Sequence, residues 1–189
     1  MSLAVPGHDP IMFDLGTGAR YFGMTCPPDQ PFHGICLLTH LHMDHTQGLP
    51  FFGPLLRHGG VLDLYGPAQE DGRTVREVFD GMIYPPLFPV GIDAFPGTLR
   101  CHDLGDQEFM IGDIRVMSRF IPHVGPTLGY RVEWNGISVA YLSDHQQPYD
   151  GGMGVSDGAL ELVSGVDLLI HDAQYTPEEF PAKYNGGHC

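Results

Sequence analysis

In GICLLT (34–39) apolar side chains follow one another almost without a break, the mark of a strand buried on both faces. VDLLIHDA (166–173) reads the same way, and VLDLYGP (61–67) is a further strand. IMFDLGTG (11–18) reads as a short strand closed by a glycine turn. The period changes in GRTVREVFDGMI (72–83), where Val75, Val78, Phe79 and Met82 fall at i, i+3, i+4 and i+7 and predict one apolar helix face. GLPFFGPLL (48–56) and DGALELVSG (157–165) are expected to be short helices or helical turns. YPPLFPVGIDAFPG (84–97) cannot be a regular element, because its prolines remove backbone donors and fix φ. Long loops of this kind often edge a binding site, and Tyr84, Phe88 and Phe95 either form one wall of a cleft or, the favoured reading, serve the structure. Beyond residue 97 strands take over: TLRCHDL (98–104), DIRVMSRF (113–120), and a hairpin over LGYRVEWNGISVAYLSD (128–144). In that hairpin Tyr130, Val132 and Trp134 alternate with Arg131 and Glu133, and Asn135-Gly136 supplies the tight turn. Strands with interspersed helices in irregular order predict a layered α/β domain, not a simple doubly wound sheet. One domain over residues 1–189 suits the length.

Charge narrows the partners. The formal net charge is −14, with nine Lys and Arg that do not cluster. Such a surface repels nucleic-acid backbones and anionic lipid, so no long nucleic acid and no membrane are expected as partners. No stretch approaches the roughly 18 apolar residues of a membrane span, and the N-terminus has no signal-peptide pattern. Cys26, Cys36, Cys101 and Cys189 show no CxxC spacing and read as free thiols of a reducing cytoplasm.

The candidate chemistry lies in LLTHLHMDHTQG (37–48), where His40, His42, Asp44 and His45 crowd the end of an apolar strand. On extended chain, residues i and i+2 share a side, so His40 and His42 could chelate one ion, with Asp44 and His45 turned toward a second. Imidazole with carboxylate suits zinc, iron, manganese or cobalt, and no thiolate is near to make a closed structural zinc site. The competing reading, a solvated or packed histidine cluster, explains poorly why four potential ligands follow a buried strand. His123 follows Pro122 at the end of strand 113–120, a ligand position or a plain loop histidine. Asp144 ends the hairpin as a turn-former or a metal bridge, and Asp14 precedes glycine as a plain turn residue or an orienting carboxylate. His145 would point away from Asp144, His102 reads as structural, and His8, His33 and His58 as solvated. His171 and Asp172 end a strand, with a hydrogen-bonding role near the site expected for Asp172. GVSDG (154–158) fits the G-x-S-x-G elbow of serine hydrolases, but it follows a flexible loop, so Ser156 or Asp157 is expected to cap a helix.

THLHMDH resembles the H-x-H-x-D-H signature of the metallo-β-lactamase-fold hydrolases. FDLGTG, IPHVGPTLGYRVE, VAYLSDH and LLIHDAQYTPEEF resemble that family's further segments in the expected order, the last of them pointing to its phosphodiesterase-like branch. The resemblance covers residues 11 to 189 and implies a four-layer αββα sandwich. It implies Asp14 as an orienting residue, and His40, His42, Asp44, His45, His123 and Asp144 as ligands of two divalent ions, zinc first, with manganese or iron as alternatives. GGHC resembles the start of a Gly-His-Ser/Thr loop whose histidine, here His188, serves as general acid. The family also carries strands before the Asp14 turn and a last histidine ligand farther on, so an incomplete domain is expected. The implied reaction is hydrolysis of a small phosphodiester by a metal-bridging hydroxide held by Asp44 and Asp144, with a small anionic substrate and a homodimer among the partners. Lactone or thioester hydrolysis on the same fold, or a catalytically incomplete metal-binding fragment, are the alternatives.

Overall fold

The computed structural model describes residues 1–147, 154–176, 178–183 and 186–188. The chain divides into two compact units, Met1–Asp103 and Leu104–Cys189. Each is built around one five-stranded mixed sheet.

The first sheet runs in sequence order: β1 (Ser2–Leu3), β2 (Ile11–Phe13), β3 (His33–Leu37), β4 (Val61–Pro67) and β5 (Thr98–Leu104). β2, β3 and β4 pair in parallel, and β1 adds antiparallel to the edge. The central strand β3 has four buried residues in succession, as its unbroken apolar run demands. It ends two residues earlier than expected because the Thr39 amide leaves the ladder for the Asp14 carboxylate. Ile11, Met12, Phe13, Cys36, Leu37, Leu62 and Leu64 are all no more than 2% exposed.

Helix α1 (Gly18–Thr25) carries no pattern strong enough to read in advance: it contains two glycines, and Thr17 gives it no side-chain cap. Helix α2 is the single turn Met43–Thr46, and residues 49–56 form two 3-10 turns, Leu49–Phe51 and Gly53–Leu56. Helix α3 (Val75–Met82) buries Val75 and Phe79 as its apolar spacing requires. A reciprocal cap starts it: Glu77 N donates to Thr74 Oγ1 at 3.1 Å, and Glu77 Oε2 accepts from Thr74 N at 2.8 Å. Thr74→Ala should therefore lower unfolding free energy by about 1 kcal/mol, read as a reduced urea midpoint at unchanged slope. In segment 84–97 Phe95 is buried in the core of this unit with Phe88 packed against it, while Tyr84 is exposed. Phe88 and Phe95 thus follow the structural reading.

The second sheet has the order β10-β9-β8-β7-β6. β6 (Gln107–Ile111), β7 (Ile114–Phe120), β8 (Leu128–Trp134) and β9 (Ile137–Leu142) form an antiparallel meander, and β10 (Leu168–His171) adds parallel to β9. Asn135 and Gly136 take φ of 49° and 79°, as the tight turn between β8 and β9 needs. Edge strand β6 is partly exposed and lacks the apolar alternation that would announce it. β10 was expected to be buried, but Leu168 and Leu169 are 51% and 45% exposed: an edge strand has only one neighbour to cover it. Helix α4 (Asp157–Val163) buries Ala159 and Leu162. Ser156 Oγ accepts from Ala159 N at 3.3 Å, so this serine caps the helix. Among the described residues no helix is long and apolar enough to cross a membrane.

Candidate metal centre

In the first unit the chain leaves β3 at Leu37, runs through Thr39 to His42, and closes one helical turn over Met43–Thr46. Residues 38–42 belong to no strand, His42 keeps an extended backbone, and the imidazoles gather. Ring centroids lie 4.5 Å apart for His40 and His42, and 4.1 Å apart for His40 and His45. His45 Nε2 lies 3.4 Å from Asp44 Oδ2. His40 is 1% exposed, whereas His42 and Asp44 reach solvent.

Asp14 organises this loop. It stands at φ 62°, a left-handed backbone that only a few non-glycine residues tolerate, asparagine and aspartate among them. That turn aims its carboxylate at the loop. Oδ1 accepts from Thr39 N and from Thr39 Oγ1, both at 2.8 Å, and Oδ2 lies 3.0 Å from His45 Nδ1. The Thr39 hydroxyl, its proton given to Asp14, accepts from His40 Nδ1 at 3.0 Å. Nδ1 thus carries the proton in both His40 and His45, and Nε2 keeps the lone pair that a metal requires. Thr39 is the residue that the spacing of ligands gave no reason to single out.

Two glycines let the backbones meet. A Cβ at Gly16 would lie 2.3 Å from the Asp44 carbonyl oxygen, and one at Gly48 would lie 2.0 Å from the Gly16 carbonyl oxygen. The space is used by backbone hydrogen bonds: Leu15 N donates to His45 O, and Gly48 N to Leu15 O, both at 2.7 Å.

The second unit holds its own His/Asp set. His123 is 5% exposed; its Nδ1 donates to Gly187 O at 2.6 Å, and its Nε2 lies 3.7 Å from Asp144 Oδ2. His188 repeats the arrangement with a carboxylate: Nδ1 donates to Asp172 Oδ2 at 2.7 Å, and Nε2 lies 3.8 Å from Asp144 Oδ2. Asp144 therefore faces Nε2 of two histidines. Gly187, at φ 89°, approaches the His123 ring so closely that a Cβ would stand 2.9 Å from it.

Asp172 is itself fixed by Gln174 N on Oδ1 at 3.0 Å and His145 N on Oδ2 at 3.2 Å. A histidine bridge joins the same loops: His145 Nδ1 donates to His171 Nε2 at 2.8 Å, and His171 Nδ1 donates to Asp172 O at 2.6 Å. His145 is 3% exposed, and burial, reinforced by His171, pushes its pKa down to about 4, so the ring is neutral at pH 7. His102 lies apart from these sets, stacked on Tyr65 at 4.3 Å and bonded to Asp63 at 2.9 Å.

Within each set the donor atoms suit a divalent metal: imidazole Nε2 lone pairs and carboxylate oxygens, with Asp14 behind His45 and the Gly187 carbonyl behind His123. Among the described residues no thiol joins the grouped donors. Cys36 is fully buried, which pushes its pKa well up, and burial raises Cys101 to about 11. Cys26, Cys36 and Cys101 are free, and Cys189 lies outside the described residues.

Asp14→Ala should remove the acceptor of two Thr39 donors and the anchor of His45. We expect zinc affinity, measured by competition with a chromogenic chelator, to fall about 10–100-fold. An unchanged affinity would show that the loop holds its imidazoles without Asp14.

Residues 12–189 match the family model described as a beta-lactamase superfamily domain. An uncharacterized protein of Mycobacterium tuberculosis H37Rv is 28% identical over 181 residues, covering 92% of this chain and 60% of its own length. The chain thus spans about 60% of the length of the curated relatives it matches. Among solved structures, Zn(2+)-bound PqqB from Methylobacterium extorquens superposes with a TM-score of 0.65 at 17% identity, covering 99% of this chain and 66% of that one. The short form of human tRNase Z gives 0.65 at 22% identity, covering 99% and 75%.

Proposed function

This chain belongs to the metallo-β-lactamase-fold hydrolases, and from that premise we propose that it is a metal-dependent phosphodiesterase acting on a small anionic substrate. In this reading His40, His42, Asp44, His45, His123 and Asp144 hold two divalent ions, zinc first. Bound there, the ions would supply Lewis acidity and water activated near neutral pH.

The chain's own groups carry the rest. Asp14, through Thr39 and directly, holds the proton of His40 and His45 on Nδ1 and orients both rings. Asp44 and Asp144 position the attacking water by hydrogen bonding. His188 delivers a proton from Nε2 to the leaving oxygen of the ester, and Asp172 on its Nδ1 stabilises the imidazolium from which that proton leaves.

The observation that carries the phosphodiester reading is the Asp172–His188 pair at 2.7 Å, whose free nitrogen faces Asp144. An alkoxide leaving group needs such a donor, whereas the thiolate leaving a thioester does not. The net charge of −14 argues for a small substrate over transfer RNA. A cytoplasmic setting accords with the free thiols, and a homodimer belongs to the same proposal.

Metal analysis of the purified chain, paired with turnover of bis(p-nitrophenyl) phosphate, a lactone and a thioester, tests this. Close to two ions per chain and preference for the phosphodiester are expected. Preference for lactone or thioester would move the reading to acyl transfer, and one ion or none without turnover would overturn it.

A further inference from the structure

A cavity of about 280 Å³ in the first unit lies beside the metal loop and is lined by Thr17, Arg20, Tyr21, Gln47, Gly48 and Phe51. Its floor comes from the approach already described: Gly48 has no side chain because the Gly16 carbonyl oxygen occupies that space. Its sides are two large aromatic residues held in water, Tyr21 at 69% and Phe51 at 55% exposure. Phe51 is set in place by an edge-to-face contact with Phe88 at 6.0 Å.

The polar groups of the cavity are uncommitted. Thr17, Arg20 and Gln47 have no side-chain hydrogen bond or ion pair among the described residues. Arg20 shares this with Arg57, whose Nε and Nη2 are buried without a hydrogen bond, but Arg20 alone of the two is exposed. Arg73, Arg76, Arg100, Arg115, Arg119 and Arg131 are each tied to a carboxylate. An exposed guanidinium without an ion pair, in a cavity also lined by two exposed aromatic rings, has the equipment for one ligand type. The rings offer stacking area, the guanidinium pairs in a planar fork with an anion, and the Gln47 amide and Thr17 hydroxyl can read polar edges. The volume, small beside the ~300–1,000 Å³ of drug-sized sites, suits one ring system and an attached charge.

We propose that this cavity binds a planar aromatic ring carrying an anionic group, stacked on Tyr21 and Phe51 and paired with Arg20. The site rests on its own side chains and does not require the hydrolase reading.

Calorimetric titration of the full chain with phenyl phosphate, benzoate, adenosine 5′-monophosphate, cyclohexyl phosphate and inorganic phosphate tests it. Saturable binding of at least one aromatic anion is expected, tenfold or more tighter than cyclohexyl or inorganic phosphate. Whether phenyl phosphate, benzoate or the nucleotide binds best identifies the source of the anion and ring. Arg20→Gln and Tyr21→Ala, both at exposed positions, should each weaken binding about tenfold. Asp44→Ala should leave it unchanged, which separates the cavity from the metal loop. Binding lost in Asp44→Ala but kept in Arg20→Gln and Tyr21→Ala would overturn the assignment, as would equal binding of inorganic phosphate or none of any aromatic anion. A Phe51→Ala protein that binds as the parent does would remove Phe51 from the stacking pair and so overturn that part of it.

Discussion

Alanine in place of Asp44 is expected to abolish metal-dependent hydrolysis of bis(p-nitrophenyl) phosphate, and His42→Ala to do the same. Both side chains reach solvent, and neither contributes to the buried core, so the loss should come without unfolding. Each nevertheless sits on a loop whose other imidazoles are within about 4–5 Å of it or of its neighbour. Losing a ligand that holds charge in the transition state by about 4 kcal/mol slows the reaction about 10³-fold. The comparison to make is kcat/KM with metal in excess, beside the thermal midpoint of the metal-free protein. The midpoint should move little, because surface substitutions outside caps and cores usually change stability by no more than ~0.5 kcal/mol. Retained activity in both variants would remove this loop from the reaction.

Gly48→Ala should have the largest effect on the fold. The added methyl would meet backbone oxygens of Gly16 at 2.0 Å and Leu15 at 2.6 Å, and neither can swing aside as a side-chain tip could. Relief requires parting the 14–16 turn from the 44–48 loop, which breaks the Gly48 N to Leu15 O bond and draws the Asp14 carboxylate from Thr39 and His45. Overpacking alone costs about 1–3 kcal/mol, and each buried donor left unsatisfied adds about 1–3 kcal/mol. We expect a loss of at least ~3 kcal/mol in urea unfolding and metal affinity reduced with it. Gly18→Ala is the control: no atom lies within 4 Å of its Cβ, and alanine favours helix α1 by up to ~1 kcal/mol. A Gly48→Ala protein as stable as its parent would mean that the two backbones do not approach as described.

Much of the framework was legible because local signals and burial agree in it. The unbroken GICLLT run, the apolar spacing of Val75, Phe79 and Met82, and Asn135-Gly136 each specify one local structure. α1 was not legible, since its glycines and missing cap give a helix that exists through packing of Ala19 and Gly23. β6 and β10 misled in opposite directions: edge strands are half covered, so neither alternation nor an apolar run reports their true burial.

For the site, the amino-acid sequence by itself determined the chemistry: imidazoles and carboxylates packed into residues 40–45, with no cysteine beside them. Only the tertiary structure decided which nitrogen each ring presents. His45 takes its tautomer from Asp14, His40 from Thr39, His123 from the Gly187 carbonyl and His188 from Asp172. For His45, His123 and His188 these partners are 31, 64 and 16 residues away, and the Thr39 that serves His40 is set by Asp14, 25 residues back. A hydrogen bond to one ring nitrogen is a matter of ångströms in space, and no spacing along the chain encodes it.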